Sequence, residues 1–316
     1  MVWDIQIGKQ RLALLQSVEI KKSVDLLADT ATIVVPGVVF NKALNLEDKV
    51  KVGDTVIIRL GYDDKLVTEF DGYLQRIDTN DNNLTFVCED AMFLTRKPVK
   101  DIQLQNTTVE KVAKYCLEEI GLSKLNCSYT MNYQKFVISR ANAFDVLKKL
   151  QDETKANIYM QNGELNIHPP YIQKGGDVRY DFAINIEKSD LKYKNADDRK
   201  FEVTVEGLTL DGKKTSVTVG VTGGEKRTIK VYNVASEAEL KRRGEDELKY
   251  LTYDGYEGSI TGWLLPYVEP TFSAYIHDAE YEFKTGSYYV VSVETSFSAN
   301  GGERKVTIGR KLIGNG

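Results

Sequence analysis

The sequence predicts a mainly β protein with a small α+β insert, built as two similar antiparallel β-barrel domains that flank the insert. Three observations carry this. Residues 52–94 alternate at period two: Val56, Ile58 and Leu60 against Ile57 and Arg59, then Phe70, Gly72 and Leu74, then Leu84, Phe86 and Cys88. Asp, Asn and Gly residues near 62–65 and 81–83 punctuate the run, which reads as a meander of four short strands. A similar unit returns from Phe272, closing in a hairpin of Tyr288–Ser296 and Arg304–Arg310 across Asn300-Gly301-Gly302. Between the two, apolar spacing switches from two to helical. The boundaries that follow are residues 1–98, 99–170 and 171–316.

Taken in order, Trp3–Ile7, Val18–Ile20 and Ala31–Val35 supply the strands that complete the first β domain. A long connection follows, Pro36 to Lys49, carrying Val38, Val39, Phe40, Leu44 and Leu46. Two readings stand for it: a loop tucked onto its own core, or an arm that docks on a neighbouring subunit. Loops of this length without their own structure are often functional. The second reading makes those five residues the candidate subunit interface.

In the insert, Thr107-Thr108-Val109-Glu110 reads as a capping box. Val109, Val112, Ala113, Cys116, Leu117 and Ile120 then follow at helical spacing until Gly121. After a short strand at Phe136–Ile138, a second helix starts near Asn142, with Asp145 three residues on and Phe144, Leu147 and Leu150 on one face. Asn157–Met160 and Glu164–Ile167 flank Asn162-Gly163, the strongest short hairpin signal. In the last region, Phe201–Val205 alternates, and a β-hairpin elaboration is expected over about 206–232. Ser236-Glu237-Ala238-Glu239 opens a helix expected over about 236–251, with Leu240, Leu248 and Leu251 toward the core. Strands at Ser259–Trp263 and Ala274–Ile276 lead into the closing hairpin.

Composition narrows the function classes. Hydrophobic content of 42% with 28% charged residues suits a globular chain with real cores. A net charge of −4 advertises neither a nucleic-acid nor an anionic-membrane surface. Eighteen tyrosines against 2 His and 2 Trp suit sheets and protein interfaces. Three cysteines without a CxxC pair argue against a secreted disulfide framework. No signal peptide or membrane-length apolar run is evident, so synthesis in a reducing cytoplasm is expected.

Chemistry is hard to find. His168 precedes Pro169-Pro170 and His277 sits beside Asp278, both in structural or solvent-facing contexts. Gly207 to Lys214 imitates a phosphate loop but lacks the following Ser/Thr and a helix. Residues 78–89 echo a calcium loop without its central Gly, and Leu84–Val87 alternate as a strand. The acidic pairs Asp63-Asp64 and Asp197-Asp198 fit turns, and Lys241-Arg242-Arg243 fits a solvated helix face. No catalytic residue, cofactor or metal ligand is assigned, and no enzyme is expected.

The order of elements is similar to that of baseplate hub proteins of tailed phages, the late-control D or tail-hub family. The residues that carry the likeness are Gly53-Asp54, Val56, Ile58 and Gly61-Tyr62, then Phe70 and Gly72, then Cys88-Glu89-Asp90. The insert adds the helix from Thr107 to Gly121 and the segment Phe136–Ile167. The end adds Gly286, Val290, Val293 and Gly302-Glu303-Arg304. The resemblance spans nearly the whole chain, with residues 206–235 altered. It implies tail-tube-like barrels in a homotrimer, six barrels around a three-fold axis, adapting a three-fold central spike to a six-fold tail tube. It implies as partners the chain itself, the spike, a tail tube or tube-initiator protein and other baseplate proteins, with DNA only passing through the lumen. The location implied is the virion tail baseplate. Alternatives are a hub or spike of a phage-derived contractile injection system, a β-rich glycan-binding adhesion protein, or a peptidoglycan hydrolase with two separated acids.

Overall fold

The computed structural model describes residues 1–39, 42–43, 48–63, 65–80, 83–172, 175–208, 214–232 and 236–312. The first β region contains β1 (Val2–Ile7), β2 (Gln10–Arg11), β3 (Ser17–Ser23), β4 (Thr30–Pro36), β5 (Val38–Val39) and β6 (Lys42–Ala43). It continues with β7 (Thr55–Tyr62), β8 (Lys65–Asn80) and β9 (Asn83–Glu89). The insert holds β10 (Ile102–Thr108), α1 (Val109–Glu119), β11 (Leu125–Cys127), β12 (Asn132–Ile138), α2 (Ala143–Thr154), β13 (Asn157–Gln161) and β14 (Glu164–His168). There follow β15 (Asp177–Asp181), β16 (Lys188–Ser189), β17 (Lys192–Lys194), β18 (Phe201–Leu208), β19 (Lys214–Gly220), β20 (Glu225–Tyr232) and α3 (Glu237–Leu251). The last strands are β21 (Gly255–Glu257), β22 (Ser259–Gly262), β23 (Ser273–His277), β24 (Gly286–Ser298) and β25 (Gly301–Lys311).

The chain is mainly β with an α+β insert, as its alternation and helix spacing require. Its contacts divide it into two compact units: residues 1–93, 173–192 and 256–316, and residues 94–172 and 193–255. In the first unit both β regions belong to one hydrogen-bonded sheet, in the order β16-β22-β25-β24-β3-β4-β9-β8-β7-β1-β2. The join is β3 against β24, with Val18 opposite Phe297 and Ile20 opposite Thr295. Inward residues of β1, β3, β4, β7, β8 and β9, among them Ile5, Val18, Ile33, Ile58, Phe70 and Phe86, form one core. Leu264 and Phe297 from the far end of the chain pack into it.

The 52–94 meander has three described strands rather than four, because β8 is a single 16-residue strand. Bulges keep it paired: the register slips between Ile58 and Arg59 on β7, and between Leu74 and Arg76 on β8. Gly72 is needed at this crossing, since a Cβ there would lie 2.3 Å from the Glu89 carbonyl oxygen. Gly61 faces the same constraint, at 1.8 Å from the Lys65 carbonyl oxygen. Two glycines of the motif are thus set by close backbone approach.

In the second unit, α1 is capped by Thr108, whose hydroxyl accepts from Lys111 N, one residue later than the spacing predicts. The reciprocal capping box falls on α2 instead, between Asn142 and Asp145. Asn162 and Gly163 take φ of 52° and 73° at the β13–β14 turn, the primed geometry that matches strand twist. Val112, Cys116, Leu147 and Leu150 are buried between the helices.

The contact grouping runs differently from the expected division at one place. Residues 193–255, expected with the second β domain, group with 94–172. The physical reason is polar contact along α3: Asn132 donates to Glu239, Arg242 donates to Thr130, and Tyr129 donates to Asp246. Within 193–255, β18 pairs antiparallel with β19 and parallel with β20, and α3 covers Val203 and Val205. Gly244 permits this, since a Cβ there would meet Val219 at 2.8 Å. Arg243 is 2% exposed, so the basic triplet is not wholly a solvated face as its Glu-rich surroundings suggest. The helix turns it inward, one residue after Arg242, toward Glu247.

Candidate interaction surface

Of the five candidate interface residues, Val38 and Val39 form β5, which pairs with β6 through Val38–Ala43 and Val39–Lys42. Phe40, Leu44 and Leu46 lie outside the described residues.

The histidines sit in ordinary surroundings. His168 is buried, its Nδ1 lies 2.9 Å from the Pro169 oxygen, and its ring meets Tyr159 edge-on. His277 ends β23 opposite Asp181. Gly207 lies in β18 opposite Thr215, within an antiparallel pair, which is a hairpin rather than a phosphate cradle. Among the described residues, no cluster of three or more His, Cys, Asp or Glu is placed to hold a metal.

A buried charge network crosses the join between the two β regions. Arg304 is 1% exposed; it donates to Glu69 and to the carbonyl oxygens of Leu264 (2.6 Å) and Pro266 (2.8 Å). Glu69 is the extra residue of the β7–β8 bulge, paired with nothing across the ladder and turned inward beside Phe70. Lys22 donates to Glu269 at 2.6 Å, and the Tyr267 hydroxyl donates to the same carboxylate. Burial pushes Glu69 above the usual carboxylate range, against the pull of Arg304. Burial also works on Glu269, but Lys22 and Tyr267 outweigh it and hold that carboxyl below its usual range. Burial raises Asp29 to about 6, against the pull of Lys22. Burial, and next the neighbouring Asp29, raise Asp90 to about 8.

The network is not legible in the sequence because its bonded members are up to 247 residues apart. One signal was present: Arg304 occupies the inward phase of Gly302, Val306 and Ile308, where a charge is out of place.

Two kinds of surface are available for partners. The outer face across the join is polar and balanced, with Lys21 opposite Glu294 and Glu294 opposite Lys305. Elsewhere, large apolar groups stand in water. Phe182 and Ile184 follow β15, and Tyr281 and Phe283 follow β23. Because β15 and β23 run parallel with Asp181 opposite His277, both loops leave from the same end of the pair. Tyr275, on β23 itself, is exposed beside Arg179.

The chain thus carries a β region at each end, an α+β insert and exposed apolar side chains beyond β15 and β23. No sequence pattern of a known family matches this chain, and no curated protein is similar to it in sequence. Its three-dimensional likenesses are extensive. The 43 kDa tail protein of prophage MuSo2 from Shewanella oneidensis gives a TM-score of 0.67 over 98% of each chain, at 15% identity. The tail protein from Neisseria meningitidis MC58 gives 0.68 over 97% of this chain and 95% of that one, also at 15% identity. The Escherichia coli c3393 protein, a component of the type VI secretion system, gives 0.64 over 98% and 77%, at 11% identity. The chain therefore has the fold of phage and prophage tail proteins, shared with a secretion-system component.

Proposed function

We propose that this protein is a structural component of a phage tail or of a phage-derived injection apparatus. Within that class we assign it to the baseplate hub: a homotrimer whose two β regions per chain make a pseudo-six-fold ring between a three-fold spike and a six-fold tube. The observation that carries the reading is the near-complete overlap, end to end, with the fold of prophage tail proteins. A duplicated β scaffold suits a symmetry adaptor, since three chains then present six similar surfaces. Partners on this reading are the spike, the tube or its initiator and other baseplate proteins, with DNA passing only through the lumen. The role is structural and not enzymatic, and the site of action is the virion tail.

Light scattering across a range of concentrations tests it. A mass near three chains of 35.7 kDa each supports the trimer. A strict monomer brings forward a second reading, glycan-binding adhesion, which the exposed Phe182, Tyr275, Tyr281 and Phe283 favour. Glycan binding that is lost on replacing Tyr281 and Phe283 by Ala would then displace the hub.

A further inference from the structure

The second unit is held together in an unusual way. Its two parts, 94–172 and 193–255, are not joined by a peptide link within the unit, because residues 173–192 belong to the other one. Each part has its own core. In the first, Val109, Val112, Cys116, Leu117, Leu147 and Leu150 are buried; in the second, Phe201, Val203 and Val205 are buried, with Leu240 against Gly207 and Val205 against Gly244.

Polar side chains connect the parts. Glu239, Arg242 and Asp246 stand at i, i+3 and i+7, which places them on one face of α3. They meet Asn132 at 2.8 Å, Thr130 at 2.8 Å and Tyr129 at 3.2 Å, a row of three residues on one short segment. The Arg242 guanidinium also lies 5.4 Å from the Tyr129 ring centroid, and Tyr171 faces Tyr250 at 6.2 Å. Each of these bonds joins a charged group to a neutral one. Bonds to a charged group are stronger than neutral ones, yet on opening water takes the place of each partner. The cores, by contrast, stay dry only when folded.

We propose that residues 193–255 form a module latched onto the 129–132 segment by Glu239, Arg242 and Asp246, which swings free as a unit while both cores stay folded. The device is a conformational latch: opening uncovers Tyr129, which is 3% exposed when the latch is closed, and carries the α3 face into water. Local openings of this kind draw on the least stable contacts of a fold.

Hydrogen exchange on the full-length chain tests the latch. In Arg242→Ala/Asp246→Ala, exchange over residues 128–133 rises about tenfold, while β18 and α2 keep their protection. Unchanged exchange at 128–133 overturns the proposal. So does an equal rise in β18 and α2, which would show one cooperative body. If the double variant misfolds, Asn132→Ala, at an exposed position, serves instead. It raises exchange at 128–133 by a smaller factor with β18 and α2 unaffected, and no local rise again overturns the latch.

Discussion

Arg304 shows how much one side chain holds. It satisfies Glu69 and two carbonyl oxygens from a position fully removed from water. Removing it strands three acceptors, whereas Glu69→Gln keeps an acceptor in place. Arg304→Met is therefore expected to cost about 3–5 kcal/mol, and Glu69→Gln about 1–3 kcal/mol. Urea unfolding ranks them; a Gln variant as unstable as the Met variant would contradict the account. Asp29 and Asp90 give a pH signature. Both are raised in the folded state, to about 6 and about 8, so folding favours their protonated forms. Their contribution is complete below about 3.8, the ordinary carboxylate value, and is lost progressively as pH rises, up to 6 for Asp29 and up to 8 for Asp90. Asp90→Asn removes the later loss: relative to the parent it is expected to gain roughly 1–3 kcal/mol between pH 6 and pH 8, and so to be the more stable of the two at pH 9. Equal urea midpoints at pH 9 would sink this.

Elements differed in how plainly they could be read. The α2 capping box and the Asn162-Gly163 turn were legible because both are local, with donor and acceptor two or three residues apart. The α1 cap was misplaced by one residue because Thr107 and Thr108 carry the same hydroxyl, and only the backbone distinguishes them. Strand β8 looked like two because its bulge interrupts the alternation. Gly72 marks that irregular crossing, and Gly72→Ala is expected to cost about 1–3 kcal/mol through the clash with Glu89. A thermal melt indistinguishable from the parent would remove the steric argument. For the arm, the hub reading predicts that Val39→Glu/Phe40→Glu lowers the solution mass while the circular dichroism spectrum stays the same. Loss of soluble, folded protein would instead mark these residues as part of their own core.

At the scale of the whole molecule, the mainly β class and the α+β insert were legible from periodicity alone. The join of β3 to β24 was not, because nothing local distinguishes an edge whose partner lies at Ser292–Ser298 from one left to solvent. The position of 193–255 was hidden for a similar reason: its partners at 129–132 are ordinary polar residues until α3 aligns with them. The join has a test. Residues 1–98 alone would leave β3 without β24 and the core without Leu264 and Phe297. That fragment is expected to aggregate, as open edges do; a soluble fragment with native dispersion of its amide signals would argue for a self-sufficient domain.

The same join sets a schedule on the ribosome. The edge of β3 emerges early, and its partner strand is finished only after residue 298 has been added. At ordinary elongation speeds the wait lasts on the order of tens of seconds. Through that interval the nascent chain carries an open strand, and a message truncated before Gly286 never closes it. Premature termination should therefore yield sticky debris for chaperones and proteases to clear, rather than a shortened subunit that competes for a place in assembly.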